Sequence, residues 1–337
     1  MKITYIFRTQ SQQRSIERVF EPIIGIMKAE GHDVNVEFAK RGRGLLSSLW
    51  KNMWHFRKVS QARICHITGD VQYVACLMNP KNTILTIHDL VPLHNKKVPW
   101  YSKFLCYWLW YYIPLKRLNH ITCISEATRQ DLILFFPWVK EKITVIPDPV
   151  DPHFKYSPKD FNLDYPRILH IGTKSNKNLL RVIEALGGIK CHLRIIGKLN
   201  DEYLNALQVH NIDYSNEYGI SDEQIVEEYK QSDIVSFPSL FEGFGMPIIE
   251  GQAVGRIVVT SNIEPMKSVA GDSAIFVTPE NVDSIKAGFL EAFMALKNPM
   301  DIITGSIANS QKYSREQITN SYNKLYRNIS DKSCLHT

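Results

Sequence analysis

Short apolar runs alternate with longer amphipathic segments along the first half of the chain. The pattern predicts strands near residues 2–7, 34–39, 63–66, 83–87, 120–124 and 143–146, and helices near 13–29, 44–59, 71–78, 99–117 and 125–136. Strands that alternate with helices in this way are typical of α/β proteins with a parallel sheet. We therefore expect a doubly wound sheet in the first half.

A second series of alternating elements follows a proline-rich boundary. Residues 145–152 contain three prolines, which prevent regular structure and mark a linker. Strands are predicted near 167–172, 192–196, 233–237, 256–260 and 274–277, with capping boxes at Ser221 to Gln224 and Ser314 to Gln317. The expected organisation is one domain at 1–152, a second at 153–312 and a final helix at 313–337.

The size and composition of the chain narrow its class. Its 337 residues, 44% of them hydrophobic, can form two domains with large cores. The apolar run of the first strand ends at Arg8 and lacks the small-residue cleavage site of a signal peptide. The longest apolar stretch, 104–115, is about half the length of a membrane-spanning helix. We expect a cytoplasmic protein without nucleic-acid partners.

Positive charge is concentrated in the first half. Residues 1–150 carry 21 Lys and Arg against 11 Asp and Glu, whereas the remainder carries 19 against 23. Segments 40–58 and 100–117 combine cations with aromatic residues and contain no acid. This pattern predicts contact with an anionic membrane surface, so that the protein is peripheral on the inner face of the membrane. The alternative is that either helix packs on its own sheet.

The most informative segment runs from Ser239 to Glu250. Glu242 and Glu250 have seven residues between them, on either side of a glycine-containing turn and a proline that suits the start of a helix. Gly243 and Gly245 allow positive φ, and the first-turn amides of a helix attract phosphate. Carboxylates accept hydrogen bonds from hydroxyls. Hydroxyls and phosphate together indicate a nucleotide sugar as the ligand.

This segment resembles the E-x7-E motif of glycosyltransferase family 4, and the likeness extends over nearly the whole chain. It implies the GT-B fold, in which two Rossmann-like domains face each other across a cleft, the first binding acceptor and the second donor. It also implies that Glu250 binds the ribose and that Glu242 lies near the donor sugar or its leaving phosphate. The backbone of Phe244, Gly245 and Met246 would hold sugar and phosphate.

Two other loops of the second domain contribute to the predicted donor site. The loop from Gly172 to Asn178 leaves a strand, and its two lysines suit a diphosphate. The family usually has an arginine after this glycine. Here Thr173 stands in its place, so the resemblance assigns the phosphate to Lys177, with Lys174 as a possible substitute. Tyr218 and Ile220 flank the position that corresponds to the base-binding edge.

Candidate acceptor residues come from the first domain. His88 and Asp89 end a hydrophobic strand, and the resemblance places such a pair beside the donor sugar. Asp70 follows another strand in a glycine turn, where it would receive an acceptor hydroxyl or cap a helix. The first loop lacks the family's Gly-Gly turn. Arg8 or Arg14 contacts phosphate there, or the loop shapes an acceptor pocket.

These features predict a glycosyltransferase that uses a UDP- or GDP-sugar and acts on an oligosaccharide or a lipid-linked glycan in surface polysaccharide assembly. The resemblance further implies a retaining enzyme. Glu242, His88 and Lys177 are the predicted catalytic residues. No D-x-D sequence is present, so we expect neither a metal nor a cofactor. The alternatives are a nucleotide-sugar epimerase of the same architecture and a non-catalytic nucleotide-sugar-binding or scaffold protein. A nicotinamide dehydrogenase is disfavoured because no G-x-G-x-x-G follows either opening strand.

Overall fold

A computed structural model describes residues 1–9, 15–41, 44–90, 93 and 99–334. The chain divides into two compact units. Met1–Pro149 together with Arg315–Thr337 form the N-terminal unit, and Val150–Ser314 form the C-terminal unit. Each unit contains a six-stranded sheet whose neighbouring strands are all parallel. The predicted α/β class with two parallel sheets is confirmed.

The N-terminal sheet has the strand order β2-β1-β3-β4-β5-β6. Its strands are β1 (Lys2–Phe7), β2 (Asp33–Phe38), β3 (Ile64–Ile67), β4 (Thr83–Ile87), β5 (His120–Cys123) and β6 (Ile143–Val145). The helices are α1 (Ser15–Ala29), α2 (Leu45–Val59), α3 (Trp100–Cys106), α4 (Ile113–Arg117) and α5 (Glu126–Phe135), with a π-helical turn at Tyr107–Tyr112 and a 3₁₀ turn at Pro137–Lys142. Ser125 caps α5, and its side chain accepts a hydrogen bond from the Thr128 amide.

One predicted helix of this unit is wrong. The segment near 71–78 forms only a short 3₁₀ helix, Gln72–Cys76. The residue before the segment, Asp70, has a left-handed φ of 60°, and an Asn-Pro pair follows at 79–80. These two breaks leave too few residues for a stable α-helix.

The C-terminal sheet has the order β12-β11-β10-β7-β8-β9. Its strands are β7 (Arg167–Ile171), β8 (His192–Ile196), β9 (Tyr214–Glu217), β10 (Ile234–Phe237), β11 (Ile257–Ser261) and β12 (Ile275–Val277). The helices are α6 (Leu179–Leu186), α7 (Asp201–Val209), α8 (Asp222–Gln231), α9 (Met246–Val254), α10 (Met266–Ala270), α11 (Val282–Ala295) and α12 (Met300–Gln311), with a 3₁₀ turn at Ser175–Lys177. The predicted capping box of α8, from Ser221 to Gln224, is formed.

Strand β9 is not among the strands that the sequence pattern predicts. Its residues, Tyr-Ser-Asn-Glu, are polar because β9 is the edge strand of the sheet. Side chains of β8 hold it in register. His192 Nε2 lies 2.7 Å from Ser215 Oγ, and the Arg194 guanidinium lies 2.6 Å from the Glu217 carboxylate. The loop at 218–220 therefore begins at the carboxyl edge of the sheet.

The last helix, α13 (Arg315–Cys334), packs on the N-terminal sheet. Tyr322 and Tyr326 are buried together with Phe20 of α1. His66 of β3 fixes this contact, since its Nδ1 lies 2.6 Å from the Tyr326 hydroxyl and its Nε2 lies 2.7 Å from Thr86 Oγ1. Helix α13 therefore completes the core of the N-terminal unit.

The two basic aromatic segments are only partly buried. In α2, Leu49 and Phe56 enter the core, but Trp50 and Trp54 are 58% and 40% exposed. The large apolar side chains of this helix are therefore divided between core and solvent. Trp100 of α3 is also 79% exposed. Over the described part of the chain, no helix combines the length and apolarity that a membrane span requires.

Strand order brings two loops of the C-terminal unit together. β7 and β10 are neighbours, and Leu169 pairs with Val235 in their register. The loops that follow these strands, 172–178 and 238–245, therefore start side by side at the carboxyl edge. Ligands of open α/β sheets bind at this edge.

Candidate functional site

Helix α9 begins without a side-chain cap. Gly245 precedes its first residue, Met246, with φ of 122°, and no side chain accepts a hydrogen bond from the first-turn amides as a cap would. Gly243 is not among the described residues with positive φ, so only one of the two glycines uses this freedom. Gly255 ends the helix in the left-handed conformation. The amides and dipole of α9 make its start a favourable position for an anion.

Lys177 and Glu242 form an ion pair between the two neighbouring loops. Lys177 Nζ lies 2.7 Å from Glu242 Oε1, and the two side chains are 19% and 15% exposed. Asn176 reinforces the contact, since its Nδ2 donates to the same carboxylate oxygen at 3.1 Å. The Leu240 amide donates to the Asn176 carbonyl at 2.8 Å. A cation is thus held against a carboxylate that lies four residues before the start of α9.

The backbone and core beneath Lys177 fix its position. Gly172 has φ of 93°, and a Cβ added there would lie 3.0 Å from Lys177 Cγ, so the lysine stem packs against this glycine. The ammonium group lies 4.6 Å from the centre of the Phe237 ring. Asn178 adopts a left-handed φ of 65°, and its Nδ2 donates to the Pro238 carbonyl at 2.9 Å. Contacts within the protein therefore hold the loop in place.

A buried histidine lies under this loop. His170 of β7 is 1% exposed, and its Nδ1 lies 3.2 Å from Ser236 Oγ. Burial, with a smaller contribution from the Lys177 charge, lowers the pKa of His170 to about 3. His170 is therefore neutral at neutral pH and adds no positive charge beneath the loop. The sequence does not distinguish this residue from an ordinary strand histidine.

Thr173 has a structural role where the family usually has an arginine. Its hydroxyl donates to the Lys198 carbonyl at 2.8 Å, and its own carbonyl accepts from the Tyr203 hydroxyl at 2.9 Å. A Cβ at Gly197 would lie 2.7 Å from Thr173 Cγ2, so the two segments are in close contact. Lys174 is exposed. Lys177, rather than Lys174, is the lysine that the fold holds in place.

Glu250 receives a hydrogen bond that the sequence did not indicate. The Tyr229 hydroxyl of α8 donates to Glu250 Oε2 at 2.6 Å. Tyr229 is fully buried, and its ring meets Phe154 edge-on at 5.2 Å. Burial, followed by the charge of Glu250, raises the pKa of Tyr229. The tyrosine therefore stays protonated and orients a partly exposed carboxylate.

The other predicted donor residues lie in different environments. Phe244 is buried edge-on against Tyr313 at 5.6 Å, so only its backbone is available to a ligand. Met246 and Ile220 are partly exposed. Tyr218 is 65% exposed at the end of β9.

A second cluster lies at the carboxyl edge of the N-terminal sheet, where β1, β3 and β4 are neighbours. His88 Nε2 donates to the Thr68 carbonyl at 2.7 Å. A Cβ at Gly69 would lie only 2.8 Å from His88 Cδ2, so the imidazole covers the glycine turn. The predicted residues Arg8 and Asp70 form an ion pair of 2.7 Å. The structure thus brings Arg8, Asp70 and His88 to three adjacent strand ends.

This cluster constrains the role of Asp70. Its carboxylate is bound to Arg8, which also lies 3.4 Å from the Glu17 carboxylate, and its backbone adopts the left-handed conformation. Asp89 contributes its carbonyl to a hydrogen bond from Tyr111 at 3.3 Å. The remaining candidate, Arg14, lies outside the described residues.

The chain is similar to known glycosyltransferases along most of its length. The family model described as "Glycosyl transferases group 1" matches residues 155–304, and the model for "Glycosyltransferase Family 4" matches residues 7–154. Curated relatives include the O-antigen chain mannosyltransferase B of Escherichia coli, 30% identical over 32% of this chain and 28% of that protein. Another is the MMP alpha-(1->4)-mannosyltransferase of Mycolicibacterium hassiacum, 24% identical over 51% and 44%. The chain thus spans less than half the length of these relatives.

Solved glycosyltransferase structures have the same fold. A glycosyltransferase from Rickettsia africae superposes with a TM-score of 0.77 over 97% of this chain and 98% of that one, at 19% identity. Alr3699/HepE of Anabaena, solved in complex with UDP and glucose, superposes with a TM-score of 0.74 over 96% and 99%, at 14% identity. The two adjacent family matches together run from residue 7 to residue 304, and the chain belongs to glycosyltransferase family 4, with the GT-B fold.

Proposed function

We propose that this protein transfers a sugar from a nucleotide-diphosphate sugar to a hydroxyl group of a lipid-linked glycan, with retention of anomeric configuration. The observation that carries this proposal is the Lys177–Glu242 pair, held 2.7 Å apart beside the uncapped start of α9. A fixed cation and a helix start without a side-chain cap suit a diphosphate, and a carboxylate suits sugar hydroxyls. A nucleotide sugar contains both groups.

Each donor-binding residue has a distinct role in this proposal. Lys177 and the amides at Gly245 and Met246 bind the diphosphate. Glu250 accepts hydrogen bonds from the ribose hydroxyls, in the orientation that Tyr229 imposes. The backbone at 218–220 contacts the base.

The reaction breaks the bond between the anomeric carbon and the diphosphate oxygen. The acceptor hydroxyl oxygen forms the new bond on the same face, and its proton passes to the leaving diphosphate oxygen. Negative charge grows on that oxygen in the transition state, where Lys177 and the α9 amides stabilise it. Glu242 positions the sugar through its hydroxyls, and the family resemblance assigns His88 as a further catalytic residue. The protein itself supplies this positive charge, so the proposed step requires no metal ion.

The relatives favour a particular sugar. The curated proteins that match this chain include several named as mannosyltransferases, among them the O-antigen chain mannosyltransferase RfbU of Salmonella typhimurium. The fold relatives include one solved with UDP and glucose. We therefore propose a hexosyl donor carried on GDP or UDP, with mannose favoured, and a surface polysaccharide precursor as the acceptor.

Attachment to an anionic membrane surface on the cytoplasmic side completes the proposal. Trp50, Trp54 and Trp100 expose aromatic surface on α2 and α3, and Arg57 stacks 4.8 Å over the Trp54 ring. Interfacial tryptophans with adjacent cations suit the headgroup region of an anionic leaflet. Flotation with phosphatidylglycerol liposomes tests this part. Replacing Lys51, Arg57 and Lys58 with glutamate should abolish flotation, and unchanged flotation would contradict it.

A thermal-shift screen against UDP-, GDP-, ADP- and CMP-sugars tests the donor. A ligand at 100 times its Kd stabilises the folded state by about 2.7 kcal/mol. The stabilising donor is then incubated with a lipid-linked acceptor, and the product is analysed for a new glycosidic bond, its anomeric configuration and any epimerised free donor. Epimerised donor without transfer would favour an epimerase, and binding without either product would favour a scaffold protein.

A further inference from the structure

A basic pocket of about 300 Å³ lies at the start of α2 in the N-terminal unit. Lys40 and Arg41 follow the end of β2, so this pocket lies at the carboxyl edge of the sheet. The pocket is lined by Lys40, Arg41, Ser48, Lys51, Asn52 and His55. Its volume is at the lower end of the range for small-molecule sites.

A buried asparagine builds the floor of this pocket. Asn52 is 4% exposed; its Oδ1 accepts from the Lys40 amide at 3.0 Å, and its Nδ2 donates to the Lys40 carbonyl at 3.0 Å. The same Nδ2 lies 2.9 Å from the Tyr73 hydroxyl. Both polar ends of one side chain therefore hold the backbone of Lys40 against α2. This segment has a fixed conformation.

The pocket carries excess positive charge. Lys40, Arg41 and Lys51 are exposed, and within the described ranges none of them forms an ion pair with a carboxylate. The neighbouring acid, Glu37, is bound to His55 Nε2. Three unpaired cations around one small pocket repel one another, so a multivalent anion relieves the repulsion. Arginine and lysine together are typical of phosphate sites.

Apolar surface lies directly beside these cations on the same helix. Successive residues of an α-helix are about 100° apart, so Lys51 separates the pocket face, with Ser48 and His55, from the face of Trp50 and Trp54. The two indole rings form an exposed ridge, with ring centres 5.9 Å apart. A ligand that fills the pocket with phosphate and continues across Lys51 meets this ridge. An alkyl or prenyl chain is the continuation that suits it.

We propose that this pocket binds the phosphate or diphosphate group of a lipid-linked ligand, whose apolar chain lies along Trp50 and Trp54. The inference rests on the proposed function, since the ligand is then the carrier end of the acceptor. Lys51 and Arg41 contact the phosphate oxygens, and the pocket holds the carrier at the same sheet edge as Arg8, Asp70 and His88.

Isothermal titration calorimetry of the full chain with farnesyl diphosphate, a soluble lipid diphosphate, tests this proposal. The pocket variant is Arg41→Gln with Lys51→Gln. The control is Lys58→Gln with Lys81→Gln, which removes the same charge from two exposed lysines of the N-terminal unit outside the pocket. Inorganic pyrophosphate and vesicles containing phosphatidylglycerol serve as parallel probes, and melting curves verify the folding of both variants.

We expect the pocket variant to bind farnesyl diphosphate at least about tenfold more weakly, and the control to remain within about twofold of the original protein. Pyrophosphate should bind more weakly than farnesyl diphosphate, and Trp50→Ala should remove that difference. Vesicle binding should fall by similar amounts in both charge variants, because it depends on total charge.

Three results would overturn the proposal: no binding of farnesyl diphosphate, equal losses in the pocket and control variants, or pyrophosphate affinity equal to that of farnesyl diphosphate. No nucleotide sugar is present in this titration. A negative titration would therefore refute the lipid phosphate pocket alone. The donor screen tests the proposed function separately.

Discussion

Replacement of Lys177 with methionine tests the central contact of the donor site. Methionine keeps an unbranched side chain over Gly172 but removes the ammonium group that lies 2.7 Å from Glu242 and 4.6 Å from the Phe237 ring. An ion pair at the protein surface contributes up to about 1 kcal/mol, and a cation–π contact adds about 0.5–1 kcal/mol. Glu242 retains its hydrogen bond from Asn176, so no buried carboxylate is left unpaired.

The resulting loss of stability is about 1–2 kcal/mol. For a unit of this size, we expect the melting temperature to fall by about 2–8 °C. The lost ion pair and the lost cation–π contact are the reason for this decrease. A double-mutant cycle with Glu242→Gln should give a coupling energy of about 1 kcal/mol, measured by urea denaturation.

The effect on activity should exceed the effect on stability. Loss of a preorganised donor to a developing negative charge costs about 10²–10³ in kcat. We expect kcat/KM of Lys177→Met to fall at least about 100-fold, whereas Lys190→Met, which removes an exposed lysine of the same unit, should be unaffected. Turnover within about threefold of the original protein, or a coupling energy near zero, would refute the assignment of Lys177.

Three further predictions follow from the two units. Tyr229→Phe removes the hydrogen bond that orients Glu250, so the Kd for the donor should rise about tenfold. An unchanged Kd in calorimetry would show that this orientation is unimportant for binding. Burial lowers the pKa of His66 and of His170 to about 3, whereas a histidine in the unfolded chain has a pKa of about 6.5, so the unfolded chain binds more protons below pH 6.5. The free energy of unfolding should therefore fall by about 1–2 kcal/mol per histidine between pH 6.5 and 5. A constant urea midpoint over this range would contradict the prediction. Transfer should survive treatment with EDTA, and loss of activity that Mg²⁺ restores would show that charge from the protein is insufficient.

Local sequence patterns determined much of the fold. Strands, helices and the turn at Gly245 depend on apolar periodicity and on residues that cap or break elements, and these signals lie within about ten residues of one another. The same is true of the E-x7-E segment, whose two acids, glycines and proline are neighbours in the chain. The sequence therefore predicted which loops carry candidate chemistry.

The tertiary structure alone decided how those residues are paired. Lys177 meets Glu242 because β10 lies beside β7, although 65 positions separate them, and Tyr229 reaches Glu250 from a different helix. Such pairings leave no periodic signal in the sequence. They depend on strand order, which is set by the crossovers that bury whole faces of the sheet. Strand β9 escaped prediction for a related reason. Its polar residues form a strand only because β8 supplies an edge, and that edge exists only once the sheet has assembled.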